Sequence, residues 1–195
     1  VICRAAIRVL PIATSPFVRS GWVHDHEQRV LWAFRCVLLA VVDCLHPRED
    51  LKQSAVYSSQ ALYRWLSKVK GPLHGAGYYA LECAKHAATS SAVKHDTDGS
   101  ITAFSHYYRA FRNSEGAPLA MALAWKDIEK LSSATYNSGD IFRTPLGKLA
   151  TSGAQDPFHL LTQSDVIWAF WREWYQGFLD RKSTRLNSSH VVSSY

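Results

Sequence analysis

The chain has 195 residues, of which 47% are hydrophobic and 19% are charged, so it is long enough for one domain with its own core and matches neither a disordered chain nor a membrane bundle. Its formal net charge is +6, but Arg181, Lys182 and Arg185 lie in a tail without Asp or Glu, and the other 180 residues carry only +3. Because those remaining basic residues are scattered along the chain, nucleic-acid binding is not expected.

Apolar residues recur at helical spacing along most of the chain. Seven segments show this pattern: residues 1–10, 25–45, 51–70, 73–94, 100–112, 117–131 and 156–179. Pro11 is predicted to end the first helix, and Asp25 and Asp50 are predicted to cap the second and third. Residues 136–155 contain three glycines and Pro145, which is typical of a loop. No segment alternates between apolar and polar residues as a half-buried strand does.

These elements predict an all-α protein, an irregular bundle of about five to seven helices. Residues 1–180 are expected to form a single helical domain that is truncated at its N-terminus and at its C-terminus, since the chain begins with Val and the helical pattern stops near Leu179. Residues 181–195 are Ser-rich and lose the periodicity, and we expect them to be a non-native, disordered tail.

The most apolar segment, residues 30–45, is predicted to be a core helix. A bilayer span needs about 20 mostly apolar residues, and this segment is shorter and contains Arg35. Membrane association is therefore not expected, and the protein should be soluble.

Four cysteines, at positions 3, 36, 44 and 83, are widely spaced and form no CxxC motif. Three of them lie within apolar helical segments, where cysteine is typically a small buried hydrophobe. This pattern favours a reducing compartment and a cytoplasmic location over a secreted disulfide framework.

The strongest metal-ligand spacing is the pair Cys83 and His86, which lie three residues apart on one helix face, with His95 following. A structural zinc site needs four ligands, and no second pair stands at the usual interval, so these three residues are only weak candidates and no metal or other cofactor is predicted. The interpretation we favour is a buried cysteine beside a solvent-facing histidine.

Two other clusters have simpler explanations than metal binding. The acids in the run from His24 to Glu27 suit the start of a helix. The run from Asp96 to Gly99 fails the calcium-loop pattern, which would place Ile101 and Tyr107 at positions that require Gly and a carboxylate. It is predicted to be a turn.

No sequence motif commits the chain to a known catalytic chemistry. It has no GxSxG, Walker, GxGxxG or HExxH motif. Helical enzymes can still assemble acids and histidines from separate helices, and the available side chains are Glu82, His86, His106, Glu129, His159 and Glu173. The sequence does not select a pair among them.

The most distinctive segment is the aromatic run near the C-terminus. Trp168, Trp171, Tyr175 and Phe178 share one helix face, and Trp174 borders it. Aromatic stripes of this kind usually belong to a core, which is the interpretation we favour. The alternative is a contact surface on which a partner protein docks by helix-in-groove recognition.

Residues 156–179 and 3–11 resemble segments of uncharacterised helical proteins from rhizobia-like bacteria and their mobile elements. The resemblance implies a bacterial, cytoplasmic origin and a chain that continues beyond Leu179, and it transfers no catalytic residue. Residues 181–190 resemble the peptide that results from translation of residual sequencing-adapter DNA.

The sequence thus predicts a bacterial interaction or structural module, with the aromatic face as its contact surface. The alternative is a small helical metal-dependent hydrolase or nuclease that uses His86 with nearby acids.

Overall fold

In the computed structural model, the described part of the chain comprises residues 1–13, 26–68, 75–93, 97–112, 117–132, 146 and 166–179. Within these residues the protein is all-α, with seven helices and no strand, as predicted. In chain order they are α1 (Ile2–Ala13), α2 (His26–Leu45), α3 (Glu49–Lys68), α4 (Ala76–Ala92), α5 (Thr97–Phe111), α6 (Ala117–Ser132) and α7 (Val166–Leu179). Asp25, most of residues 136–155 and the tail 181–195 lie outside the described residues.

Helix α4 lies at the centre of the bundle and packs against α1, α2, α3 and α5. Its sequence explains this position, because the side chains that it buries include Ala80, Ala84, Ala87 and Ala88. Alanine strongly favours the helix, and its small side chain lets neighbouring helices approach closely. The polar residues of α4 therefore lie close to the neighbouring helices α1, α2, α3 and α5.

Helix α1 is buried along almost its whole length, and its residues 3–10 are all buried. It runs through Pro11 to Ala13, so the prediction that Pro11 ends the helix is wrong. Leu10 and Ala13 on either side of the proline are fully buried. Packing on both sides outweighs the lost backbone hydrogen bond at the proline.

Two buried arginines join α1 to α6. Arg4 Nε donates a hydrogen bond of 2.9 Å to Asp127 Oδ2, and Arg8 Nη1 lies 2.7 Å from the same oxygen. Arg8 Nε also donates to the carbonyl of Leu146 at 3.0 Å. The carboxylate of Asp127 compensates buried positive charge and holds the first helix against the sixth.

A single hydrophobic core includes side chains from all seven helices. None of the helices in the described ranges is both long and apolar enough to cross a membrane.

Candidate metal centre

Three side chains with metal-ligating atoms converge where α4 meets α5. Glu82 and His86 lie four residues apart on α4, which places them on one helix face, and His106 reaches them from α5. One ligand atom from each residue lies within 4.8 Å of the other two. The packing of α4 against α5 creates this cluster.

The distances are those of a closely packed group. Glu82 Oε2 lies 3.4 Å from His86 Nε2 and 3.9 Å from His106 Nε2. Four ligands at zinc bond lengths of about 2.0–2.1 Å in a tetrahedron are separated by roughly 3.3 Å, so small side-chain rotations would bring this set to coordinating geometry.

Ring stacking holds His106 in place. Its imidazole stacks on the imidazole of His86, with ring centres 5.4 Å apart, and on the phenol ring of Tyr79, with ring centres 5.8 Å apart. Arg109 covers Tyr79, with its guanidinium carbon 5.6 Å from the ring centre. The cluster is partly enclosed, because the side chains of Glu82, His86 and His106 are 7%, 24% and 15% exposed.

Lys85 compensates the charge of Glu82. Its Nζ atom donates a hydrogen bond of 2.5 Å to Glu82 Oε2, the oxygen that both histidines also approach. The same ammonium lies 5.3 Å from the ring centre of Tyr63. A metal ion bound at this oxygen would have to displace Lys85.

The environment sets the ionisation of two of these groups. Burial alone would raise the pKa of Glu82, but hydrogen bonds from His86 and Lys85 outweigh it and lower the pKa to about 2. Burial lowers the pKa of His106 to about 4, although the negative charge of Glu82 acts to raise it. At neutral pH Glu82 is therefore a carboxylate and His106 a neutral imidazole, the forms in which both residues bind metals.

Of the three metal candidates named from the sequence, the structure places one in the cluster. His86 belongs to the cluster, whereas Cys83 points into the core and is fully buried, which raises the pKa of its thiol. His95 lies outside the described residues, as do His24, Asp25 and the side chains of His26 and Glu27. Within the described residues, the group around His86 contains Glu82 and His106 rather than Cys83.

Two further acids named from the sequence lie on other helices than the cluster. Glu129 and Glu173 are exposed on α6 and α7, and His159 lies outside the described residues. Helix α5 begins at Thr97, so Asp98 and Gly99 belong to its first turn and the separate turn predicted there is wrong. A carboxylate in a first turn is favourable because it faces the positive end of the helix dipole.

The aromatic residues of α7 lie against the core. Trp171, Trp174, Tyr175 and Phe178 are between 4% and 8% exposed, and Trp171 lies against Phe34 of α2 with ring centres 5.2 Å apart. The side chain of Trp168 lies outside the described residues. This burial favours the core interpretation of the stripe, and partner docking through it stays a prediction that would require α7 to leave the bundle.

The sequence signal for the cluster was present but incomplete. Glu82 and His86 are an i, i+4 pair, which is as good a facing pair as Cys83 and His86. The contribution of His106 depends on how α5 packs against α4, and no spacing along the chain encodes that. Comparisons of the chain with protein-family models, with curated proteins and with solved structures find no match.

Proposed function

We propose that the protein binds a divalent transition-metal ion, with zinc as the first choice, through Glu82, His86 and His106, and that it is a metal-dependent hydrolase. The observation that carries the proposal is the convergence of one carboxylate oxygen and two imidazole nitrogens within 4.8 Å. Two histidines and one glutamate are a recurring ligand set of catalytic zinc sites.

Among the described residues the cluster offers three ligands, and this number supports catalysis over a structural role. Structural zinc sites are closed by four protein ligands, whereas catalytic sites use three and keep a position for water or substrate. Partial exposure of His86 gives that position a route to solvent. Zinc lowers the pKa of a bound water to about 7, which is the basis of hydrolysis by such sites.

Zinc titration of the chelator-treated protein by calorimetry tests the binding step. We expect one zinc per chain, and we expect His86→Ala and His106→Ala each to weaken binding by at least about 100-fold, since each removes one of three ligands. His46→Ala, which changes an exposed histidine at the end of α2, is the matched control and should bind as the wild type does. Equal affinity in all four proteins would refute the site.

Hydrolysis is tested separately with model substrates. Bis-p-nitrophenyl phosphate and p-nitrophenyl acetate report phosphodiesterase and esterase activity, and the zinc-loaded protein should turn over one of them. The activity should be lost on chelation and in His106→Ala, but kept in His46→Ala. A protein that binds zinc tightly at this site and hydrolyses neither probe would contradict hydrolysis while leaving metal binding intact.

The second proposal is protein interaction, and it is favoured by Trp125 on α6, whose surface is 62% exposed. Tryptophan is enriched among the residues that dominate binding energy at interfaces. Trp125→Ser should then remove a stoichiometric partner that copurifies with the wild type, whereas the neighbouring exposed change Lys126→Ala should not. Retention of the partner by Trp125→Ser would exclude this surface.

The cellular setting that we propose is the bacterial cytoplasm. One support is the resemblance of residues 3–11 and 156–179 to segments of helical proteins from rhizobia-like bacteria. The other is that Cys36 and Cys83 are free thiols buried in the core, which suits a reducing compartment.

A further inference from the structure

Two cysteines from different helices meet at one end of the bundle. Cys3 lies in the first turn of α1 and Cys44 in the last turn of α2, and their sulfur atoms are 3.5 Å apart although 41 positions separate them in sequence. Cys3 is buried, whereas Cys44 is exposed. The other two thiols, Cys36 and Cys83, are fully buried.

We propose that Cys3 and Cys44 are an oxidation site that reacts with hydroperoxides and forms a reversible disulfide. Cys44 is the thiol that meets the oxidant, because it is the exposed member of the pair. Cys3 is the resolving thiol, because its sulfur already contacts that of Cys44 from the protein side.

The reaction proceeds in two balanced steps. In the first, the Cys44 thiolate attacks one oxygen of hydrogen peroxide, the O–O bond breaks, and the products are a sulfenic acid and a hydroxide that takes up a proton to become water. In the second, the Cys3 sulfur attacks the Cys44 sulfur, the S–S bond forms, the S–O bond breaks, and the oxygen leaves as water with the Cys3 proton. Two thiols lose two electrons, and the peroxide is reduced to two waters.

The local chemistry supports this division of roles. The hydrogen bond between the two thiols lowers the pKa of Cys44. Partial burial of Cys44 and the negative charge of Asp43 act in the opposite direction but are weaker. The same hydrogen bond, together with burial, raises the pKa of Cys3 well above its usual value. A thiolate is the nucleophile in such reactions, so the exposed sulfur is also the more reactive one.

The backbone context permits the bond to close. A disulfide requires about 2.05 Å between the sulfurs, so the pair must approach by roughly 1.5 Å. Both residues lie at helix ends, where terminal turns fray and adjust more readily than a helix interior.

The test treats the full chain with hydrogen peroxide, blocks the remaining thiols with N-ethylmaleimide and maps the linked peptides by mass spectrometry. We expect the protein to lose two hydrogens, with Cys3 joined to Cys44 and with Cys36 and Cys83 alkylated after unfolding. A dithiol reductant should restore all four thiols. Cys44 should react about tenfold faster than Cys36, as its exposure implies.

Variants distinguish the roles of the two sulfurs. Cys3→Ser should stop the reaction at a Cys44 sulfenic acid that dimedone traps, Cys44→Ser should abolish linkage, and Cys36→Ala should leave it unchanged. Over-oxidation of wild-type Cys44 without linkage, a disulfide between Cys44 residues of two chains, or a linkage that survives in Cys44→Ser would each overturn the proposal.

Discussion

Lys85 competes directly with a metal ion for Glu82, one of the three proposed ligands. Its ammonium group neutralises Glu82 and so competes with any cation for that oxygen. We expect Lys85→Met to tighten zinc binding by about tenfold, equivalent to about 1.4 kcal/mol, because the metal no longer has to displace a charge-assisted hydrogen bond. Calorimetric titration measures the change.

The control for this variant is Lys52→Met. Lys52 forms a similar i, i+3 pair with Glu49, on the exposed side of α3. Its replacement removes one positive charge without touching the cluster, and zinc affinity should stay unchanged. Unchanged or weaker binding in Lys85→Met would show that Lys85 does not compete with the metal.

The ionisation of His106 predicts a pH dependence of stability in the metal-free protein. Its pKa is about 4 in the folded state and 6.5 without the protein environment, so the unfolded chain takes up the proton first as the pH falls. This contribution to stability is complete above pH 6.5 and is lost progressively towards pH 4.

Urea unfolding in the presence of a chelator, at pH 7 and at pH 5, measures this effect. The unfolding free energy should fall over this interval, and His106→Gln should reduce the fall because glutamine does not titrate. The pKa of Glu82 is lowered from 4.5 to about 2, so the corresponding loss for Glu82 occurs mainly below pH 4.5, outside the measured interval from pH 7 to pH 5. An identical fall in wild type and His106→Gln would contradict the assignment.

Among the helices, α1 and α6 are joined by a carboxylate that pairs with two buried arginines. Asp127 faces Arg4 and Arg8, and all three side chains are almost completely buried. Asp127→Ala should lower the unfolding free energy by about 3–5 kcal/mol, because two buried guanidinium groups lose their counter-charge. Urea unfolding checks this value.

The comparison variant for this prediction is Asp98→Ala. Asp98 is exposed in the first turn of α5, where its charge faces the positive end of the helix dipole, so its replacement should cost less than about 1 kcal/mol. A loss of similar size in both variants would remove the special role assigned to Asp127.

The helices were largely predictable because their signals are local. The helix predicted at 51–70 corresponds to Glu49–Lys68, although Asp50 lies in its first turn and does not cap it as predicted. The helix end predicted at Pro11 is wrong because tertiary packing, which no local signal reports, lets α1 continue past the proline. The site was predictable only in part, since His86 and Glu82 share a helix whereas His106 joins them through the packing of α5.

For the whole molecule, the thiol pair predicts a difference in stability between the reduced and oxidised forms. A disulfide from Cys3 to Cys44 would close a loop that spans the first two helices and would stabilise the fold by about 3–5 kcal/mol, mainly by restricting the unfolded chain. The urea midpoint of the peroxide-treated protein should rise and return to its initial value after reduction.

Cys44→Ser serves as the control for that measurement, since it cannot form the bond and its midpoint should not respond to peroxide. An oxidised wild type that is no more stable than the reduced form would show that closing the bond strains the helix ends.

The central claim, a metal centre built from Glu82, His86 and His106, is tested most directly by X-ray absorption spectroscopy of the zinc-loaded protein. We predict a first shell of nitrogen and oxygen at about 2.0–2.1 Å, with outer-shell scattering from two imidazoles and no sulfur. Sulfur at about 2.3 Å would assign the zinc to a cysteine such as Cys83 instead and would contradict the account.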